Sequence, residues 1–451
     1  MAESSPRTSR YVCSEGCDFS TALDAILYRC PKCSGLLNVR HDRAALSARS
    51  GPQWRALFAE RYGAVRGVSA SGVWGKKEWV LPDLAERHIV SLGEGRSPLQ
   101  PMSRLAAELG LSELHLKQCG ITATGSFKDL GMTVLVSQVG GMRAAGIGIR
   151  AVLCASTGDT SAALAAYCAA AGIPAVVVLP RAKVSVSQLV QPIANGAHVL
   201  SLATDFDGCM RIVQELSRDP HLYLANSMNS LRLEGQKTVA MEIVQQLDWE
   251  PPDWIVIPGG NLGNVTALGM GLELMRDTGV SGRLPRIAVA QAERANPLYR
   301  SYLGGFRDLE AVRAQPTLAS AIQIGNPVSI GRAVRVLRAF DGVVEQASED
   351  QLANAAARAD RHGAFADPHT GVALAAVEKL CAAGIIARGS RVVVVSTAHG
   401  LKFPDFKVGY HERRLPDVES LHANPAVELP PDAGAVRDTL DRLLDRSERF
   451  R

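Results

Sequence analysis

Short apolar runs rich in valine, isoleucine and alanine recur through the middle of the chain. Each leads into a polar, glycine-bearing turn and then a longer run of helical composition. The clearest strands are predicted at Ala151–Ala155, Ala175–Pro180, 255–258, 287–292 and 392–398. Unbroken apolar runs of this length suit strands covered on both faces, and their alternation with helices from about 85 to 410 builds parallel sheets. Thr160 to Ala171 is alanine-rich with no breaker before Gly172 and Pro174, so a helix is expected there. Residues 132–139 and those from Val265 onward read the same way. After Tyr410, four prolines (Pro416, Pro425, Pro430 and Pro431) mark a linker, and Val436, Leu440, Leu443 and Leu444 then space an amphipathic helix. Its stripe is expected to dock on the chain's own surface or on a partner subunit. The mixed Asp, Glu and Arg of its polar face argue against a membrane role.

At 451 residues the chain is expected to form two or three domains, taking roughly 150 residues per domain. A hydrophobic content of 47% with 21% charged residues suits an α/β protein. The net charge of +4 is too small to suggest nucleic-acid binding. No apolar run is long enough to cross a membrane, and residues 1–10, expected to be a disordered tail, lack the apolar core of a signal peptide and leave no room for an organellar leader. Nine cysteines, an odd number without secretory context, point to a reducing cytoplasm. Cys13, Cys17, Cys30 and Cys33 form two pairs twelve residues apart, the pattern of two knuckles around a tetrahedral zinc. The other reading is four reduced thiols that bind nothing. Cys119, Cys154, Cys168, Cys209 and Cys381 are expected to be core thiols.

Four segments carry chemistry. Lys128 follows Gly125 and Ser126 and precedes an apolar helix, a seat where partial burial would favour the free amine that a carbonyl cofactor needs. Ser156, Thr157, Gly158, Asp159 and Thr160 lie between a strand and a helix, where unpaired N–H groups suit a carboxylate or simply cap the helix. Gly259, Gly260, Asn261, Leu262, Gly263 and Asn264 form a second strand-to-helix loop able to turn its N–H groups toward a phosphate. It has neither the GxxxxGK[ST] nor the GxGxxG spacing. Ser396, Thr397, Ala398 and His399 end the last strand, where open α/β sheets bind ligands. Thr397 could hydrogen-bond a pyridine nitrogen, and His399 is read as structural.

Taken together, GSFKDLGMTVLVSQV, ASTGDTSAALAAYCAAAGIP, YLANSMNSLRLEGQKT, PGGNLGN, ASAIQIGNPVSI, DPHTGVAL and VVVVSTAHGLKF resemble the threonine synthases, and within them the plant-type branch. These are pyridoxal-phosphate enzymes of the tryptophan-synthase-β-like fold, and the likeness runs from about Tyr28 to Tyr410. It implies an α/β architecture of two open parallel-sheet domains behind a small N-terminal zinc-ribbon-like segment at 11–40. Residues 41–134 and 246–410 would form the large domain, 135–245 the small one, and 411–451 the linker and C-terminal helix.

The resemblance also implies roles. Lys128 would be the Schiff-base lysine and main proton shuttle, Gly260 to Asn264 the phosphate loop, and Thr397 the residue at the pyridine nitrogen. Ser156, Thr157 and Thr160 would bind the substrate carboxylate beside the cofactor ring, with Asp159 against the ring oxygen, where many relatives have Asn. Arg232 would meet the substrate phosphate, or else form an ordinary salt bridge. The implied reaction turns O-phospho-L-homoserine and water into L-threonine and phosphate in a homodimer, by γ-elimination and β-addition. The alternatives are a paralogue such as a cysteate synthase and, in another class, an inactive zinc-ribbon scaffold. Plant members are activated by S-adenosylmethionine, and 71–82 keeps their SGVWGKKEWVLP segment, whereas 91–99 follows the bacterial form. Trp74 and Trp79 could stack on that cation or anchor the N-terminal region; the anchor, with little or no activation, is expected.

Overall fold

The computed structural model describes residues 8–181 and 186–448. Most of the stretch read as a tail lies outside the described residues, but Ser9 already opens a strand, because Ser9 and Tyr11 turn inward and are buried. That strand, β1 (Ser9–Cys13), pairs antiparallel with β2 (Ser20–Ala22) and β3 (Leu37–His41) in a three-stranded sheet ordered β2-β1-β3.

The chain then forms β4 (Leu99–Pro101) and β5 (Glu113–Gln118). Four strands follow: β6 (Ala151–Ala155), β7 (Ala175–Pro180), β8 (His198–Leu202) and β9 (Leu222–Leu224). The last four are β10 (Trp254–Pro258), β11 (Arg286–Ala292), β12 (Val343–Ala347) and β13 (Arg391–Ser396). The apolar runs of the sequence thus become β6, β7, β10, β11 and β13, with ends shifted by two residues at most. The sheets are ordered β12-β11-β10-β13-β5-β4 and β8-β7-β6-β9. Every pairing in them is parallel except the antiparallel edge strand β4.

Strand order fixes where a ligand can sit. From β10 the larger sheet grows outward through β11 and β12, whereas β13 returns to the other side of β10. In the smaller sheet β7 and β8 grow to one side of β6 and β9 lies on the other. Each sheet therefore has a switch point, and the loops leaving the carboxyl ends there splay apart and open a crevice. The glycine loop follows β10, Thr397 follows β13, Ser156 follows β6, and Asn226 lies two residues after β9.

The Lys128–Ala144 helix runs through residues 134 and 135, so the boundary placed there falls within a continuous element. It packs against the short Leu231–Gln236 helix at backbone distance. A Cβ on Gly235 would lie 1.6 Å from the carbonyl oxygen of Leu130, and one on Gly131 would lie 2.9 Å from that of Arg232. Two glycines therefore bring Arg232 beside the Lys128 helix.

Trp54, Phe58 and Trp79 pack ring against ring at centroid distances of 5.0 to 5.5 Å. Trp74 donates its indole N–H to Thr133 Oγ1 at 2.7 Å. Trp74 and Trp79 are both fully buried. Their faces are closed to a ligand from solvent; Trp74 ties its segment to the Lys128–Ala144 helix, and Trp79 closes the cluster with Trp54 and Phe58. The C-terminal helix, Ala433–Glu448, forms as its spacing predicts, but Val436, Leu440 and Leu443 remain 40%, 51% and 46% exposed. The chain's own body does not cover that stripe.

Candidate active site

Every residue assigned to cofactor or substrate from sequence lines one cleft of about 410 Å³. These are Lys128, Ser156, Thr157, Asp159, Thr160, Arg232, Gly260, Asn261, Leu262, Gly263, Asn264 and Thr397.

Lys128 begins its helix after a loop that Asp129 organises. The buried Asp129 carboxylate accepts from Thr122 Oγ1, Thr124 N and Thr124 Oγ1 at 2.9, 2.9 and 2.5 Å, and burial raises its pKa to about 6. Phe127 N donates to the Thr397 carbonyl at 2.9 Å, which ties the lysine's neighbour to the end of β13. The Lys128 amine lies 3.7 Å from the centroid of the Phe127 ring. Burial lowers its pKa to about 7; Asp159 opposes this, while Arg232 and Lys402 assist. Near neutrality a large share is the free amine a carbonyl electrophile requires.

The glycine loop is built for close approach. A Cβ on Gly259 would lie 2.5 Å from Val289 Cγ1, and one on Gly260 would lie 3.0 Å from Ile322 Cγ2. Leu262, a buried non-glycine residue, holds φ at +64° as the cap of the Gly263–Asp277 helix. That left-handed conformation carries strain of order 1–3 kcal/mol, stored where the first turn of the helix lines the cleft. Asn264 Nδ2 donates to the Pro258 carbonyl at 2.7 Å and fixes the loop's base. The helix starts at Gly263, two residues before the sequence pattern suggests, so Gly263 and Asn264 belong to its first turn.

At the second switch point, Ser156 Oγ accepts from Gly158 N and Ser161 N at 3.2 and 3.3 Å. That oxygen serves the helix start, while Thr157 and Thr160 line the cleft. Arg232 is 3% exposed and donates to Ala225 O at 3.1 Å and to Thr160 Oγ1 at 3.4 Å. Its Nε has no partner, and among the described residues no carboxylate forms an ion pair with it. Burial lowers its pKa to about 10, still far above neutrality. A buried, charged guanidinium with a spare donor is suited to an anion, and among the described residues no salt bridge to Arg232 forms.

Sequence reasoning missed several lining residues. His369 is buried, donates Nδ1–H to Asp367 at 2.5 Å and accepts from Ala321 N at Nε2 at 3.0 Å. Asp367 also receives Thr370 N and Ala398 N, which secures the backbone next to Thr397; it is buried, yet His369 and Thr370 keep its pKa below the usual range. Asn226 exchanges hydrogen bonds with Ala155 N and O at 3.0 and 2.9 Å and so joins the ends of β6 and β9. The signal for both lay in DPHTGVAL and YLANSMNS, recognised as segments without individual roles. His399 caps a short turn by accepting from Leu401 N, as its structural reading requires.

In the N-terminal segment, the sulfurs of Cys13, Cys17, Cys30 and Cys33 all lie within 4.8 Å of one another. A tetrahedral zinc with Zn–S bonds of about 2.3 Å sets its sulfurs about 3.8 Å apart, so the four thiols fit one ion. Glu15 N and Gly35 N donate to the sulfurs of Cys13 and Cys33 at 3.3 and 3.4 Å. Burial opposes ionisation of Cys13, but the N–H groups of Glu15 and Cys17 and the thiols of Cys33 and Cys30 bring its pKa down to about 7.

The family model for pyridoxal-phosphate dependent enzymes matches residues 90–398. The chain is 51% identical over 432 residues to threonine synthase 2, chloroplastic, of Arabidopsis thaliana, covering 95% of this chain and 84% of that protein. It is 38% identical over 400 residues to the threonine synthase of Methanocaldococcus jannaschii, covering 88% and 94%. Among solved structures, threonine synthase from Escherichia coli superposes with a TM-score of 0.66 at 20% identity, covering 96% of this chain and 99% of that one. Maize serine racemase gives 0.59 at 16% identity, covering 85% and 100%. At such identities these two structures speak for the fold alone.

Proposed function

The chain belongs to the threonine synthase family of pyridoxal-phosphate-dependent enzymes, and on that premise we propose how its residues divide the work. The reaction is conversion of O-phospho-L-homoserine and water to L-threonine and phosphate. The observation that carries the substrate assignment is Arg232: a buried cation with a spare donor and no acidic partner among the described residues, in the same cleft as the half-buried Lys128.

The cleft fits pyridoxal phosphate. Lys128 offers its amine, the first-turn N–H groups around Leu262, Gly263 and Asn264 suit the phosphate, and the Thr397 hydroxyl suits the pyridine nitrogen. When bound, the cofactor supplies an electron sink that stabilises carbanions on the substrate. The Thr397 hydroxyl would hydrogen-bond that nitrogen without donating a full proton. With substrate bound, Lys128 Nζ would be free to take the proton from substrate Cα. A second proton leaves Cβ and phosphate leaves Cγ; protonation at Cγ, attack of water at Cβ and return of a proton from Lys128 Nζ to Cα complete threonine. Thr157 and Thr160, at the helix start, orient the substrate carboxylate. Arg232 binds the phosphate through two of its donors and holds the leaving group in line.

Cys13, Cys17, Cys30 and Cys33 hold a structural zinc, a reading supported by the convergence of their sulfurs. The exposed stripe of the C-terminal helix supports a homodimer. No described helix is long and apolar enough to cross a membrane. The lack of any disulfide among the described cysteines favours a cytoplasmic site of action, and the net charge of +4 speaks against nucleic-acid partners. The deciding experiment measures threonine and phosphate release from O-phosphohomoserine by the purified protein. Equimolar release is expected. Another product amino acid would assign a paralogous reaction, and absence of turnover by cofactor-loaded protein would overturn the proposal.

A further inference from the structure

Asp159 poses a problem within this reading. Beside a cofactor ring it faces an oxygen that carries negative charge, and two anions in contact repel unless something compensates them. The compensation is at hand. Lys402, five residues beyond Thr397, places Nζ 2.8 Å from Asp159 Oδ1. The same ammonium donates to Thr124 O at 2.9 Å and Gln191 Oε1 at 3.0 Å, so its three donors have three acceptors. The side chains of Lys402 and Asp159 are only 17% and 9% exposed.

The acceptors come from both sides of the cleft. Thr124 is in the loop that seats Lys128, Asp159 opens the Asp159–Ala171 helix, and Gln191 lies in the Val186–Ala194 helix. The lysine stem crosses Gly125, where a Cβ would lie 2.9 Å from Lys402 Cδ and where φ is +79°. Any other residue at 125 would push the stem away and strain the backbone. The site is thus formed around this lysine.

We propose that Lys402 is a positioning residue that makes Asp159 a net-neutral neighbour for the cofactor's ring oxygen and ties the Asp159 helix to the loop seating Lys128. The proposal rests on the assignment of Asp159 to the ring oxygen. Lys402 also adds to the positive potential at Lys128, where Asp159, Arg232 and Asp367 are the other charged neighbours. Its role differs from that of Lys128: it forms no bond to substrate or cofactor and acts by holding a carboxylate.

The test is a double-mutant cycle on the cofactor-loaded enzyme, read by the pH midpoint of its visible absorbance change and by kcat and KM. K402M leaves an uncompensated carboxylate by the ring and should raise the midpoint by about one unit. D159N leaves an uncompensated cation and should lower it. The double variant D159N/K402M should return to within a few tenths of a unit of the parent, and K402R should hold the parent midpoint. In K402M the loss is expected in kcat more than in KM. An unchanged midpoint in K402M, or shifts of the same sign that add in the double variant, would overturn the proposal. Should K402M fail to fold, D159N against D159N/K402M carries the same comparison: a downward shift that the second substitution reverses supports the pair, and no reversal refutes it. K128A separates the two levels of inference. If K128A retains turnover, the site assignment itself fails; if K128A is inactive while K402M titrates like the parent, only the Lys402 proposal fails.

Discussion

His41 Nε2 lies 2.7 Å from Glu234 Oε2, joining residues 193 positions apart, both buried. His41 ends β3, and its Nδ1 faces Ser9 Oγ of β1 at 2.7 Å. Glu234 sits in the Leu231–Gln236 helix two residues after Arg232, and Lys237 completes the cluster by pairing with the same carboxylate. Ser230 and Arg332 both donate to the Leu37 carbonyl of β3, and Tyr28 OH accepts from Leu224 N at 2.7 Å. The N-terminal sheet therefore grips the segment that presents Arg232, although it lines no part of the cleft.

This linkage makes stability depend on pH. Burial, helped by Lys237, lowers the His41 pKa below 6.5, with Glu234 and Asp83 opposing. Glu234 is buried, but Lys237 and His41 keep its pKa below the usual value. Both groups have depressed folded pKa values, so the unfolded chain binds more protons on acidification. Stability is complete above about pH 6.5 and is lost as pH falls through the folded value of His41, then further below about 4.5 as Glu234 protonates. The thermal midpoint should drop between pH 7.5 and 5.5, and H41Q should flatten that slope by up to about 1.4 kcal/mol per pH unit. A slope unchanged in H41Q would show that other groups set it.

Lys128→Ala should abolish turnover and the visible absorbance of lysine-bound cofactor while the fold persists. Capture of cofactor by the apoprotein should follow the free amine. With a pKa of about 7 the capture rate should rise about tenfold from pH 6 to 8 and then level off. A rate still climbing steeply at pH 9 would mean that burial does not lower this lysine.

Metal analysis of the purified protein should give about one zinc per chain, and C30S/C33S should lose it. The cysteines line no part of the cleft but belong to the segment that grips Glu234 and Ser230. Loss of metal should therefore lower the thermal midpoint and raise KM more than it changes kcat. A metal-free parent of full stability would show the thiols to be idle.

The strands and the cleft were legible in the sequence because buried parallel strands are unbroken apolar runs and anion-binding turns follow them at once. Gly260, Leu262, Ser156 and Thr397 could each be placed from that local grammar. Lys402 could not, since its meaning is a 2.8 Å contact with Asp159 across 243 residues, and nothing in HGLKF separates it from a surface lysine. His369 and Asn226 escaped for the same reason: their partners, Asp367 with Ala321 and both ends of Ala155, are set by tertiary pairing. Helix starts at Gly263 and Asp159 were also misjudged by a residue or two, because the first turn is capped by Leu262 at positive φ and by Ser156 from outside the helix.

Gly235 shows how closely Arg232 depends on packing. A methyl at 235 would lie 1.6 Å from the Leu130 carbonyl oxygen, a backbone atom in the helix that begins with Lys128. The two helices must separate to admit it, so G235A should destabilise the protein by roughly 1–3 kcal/mol or more. It should also raise KM for the phosphorylated substrate while cofactor binding changes less. Normal stability with an unchanged KM would show that the helices do not need contact at this point.

Arg232 itself gives the sharpest test of substrate class. Its guanidinium is buried, its Nε is unpaired, and Thr160 Oγ1 shares one of its other nitrogens at 3.4 Å. If a phosphate binds there, R232K keeps the charge but loses the two-pronged geometry, and kcat/KM should fall at least tenfold. R232A should fall by a factor of about 10² to 10³, consistent with the 2–4 kcal/mol of a charge-assisted contact pair. Inorganic phosphate should inhibit the parent competitively and R232A much more weakly. If phosphate protects neither protein, or inhibits both alike, the anion held by this arginine is the amino-acid carboxylate, and Thr157 and Thr160 must then be reassigned to the phosphate end.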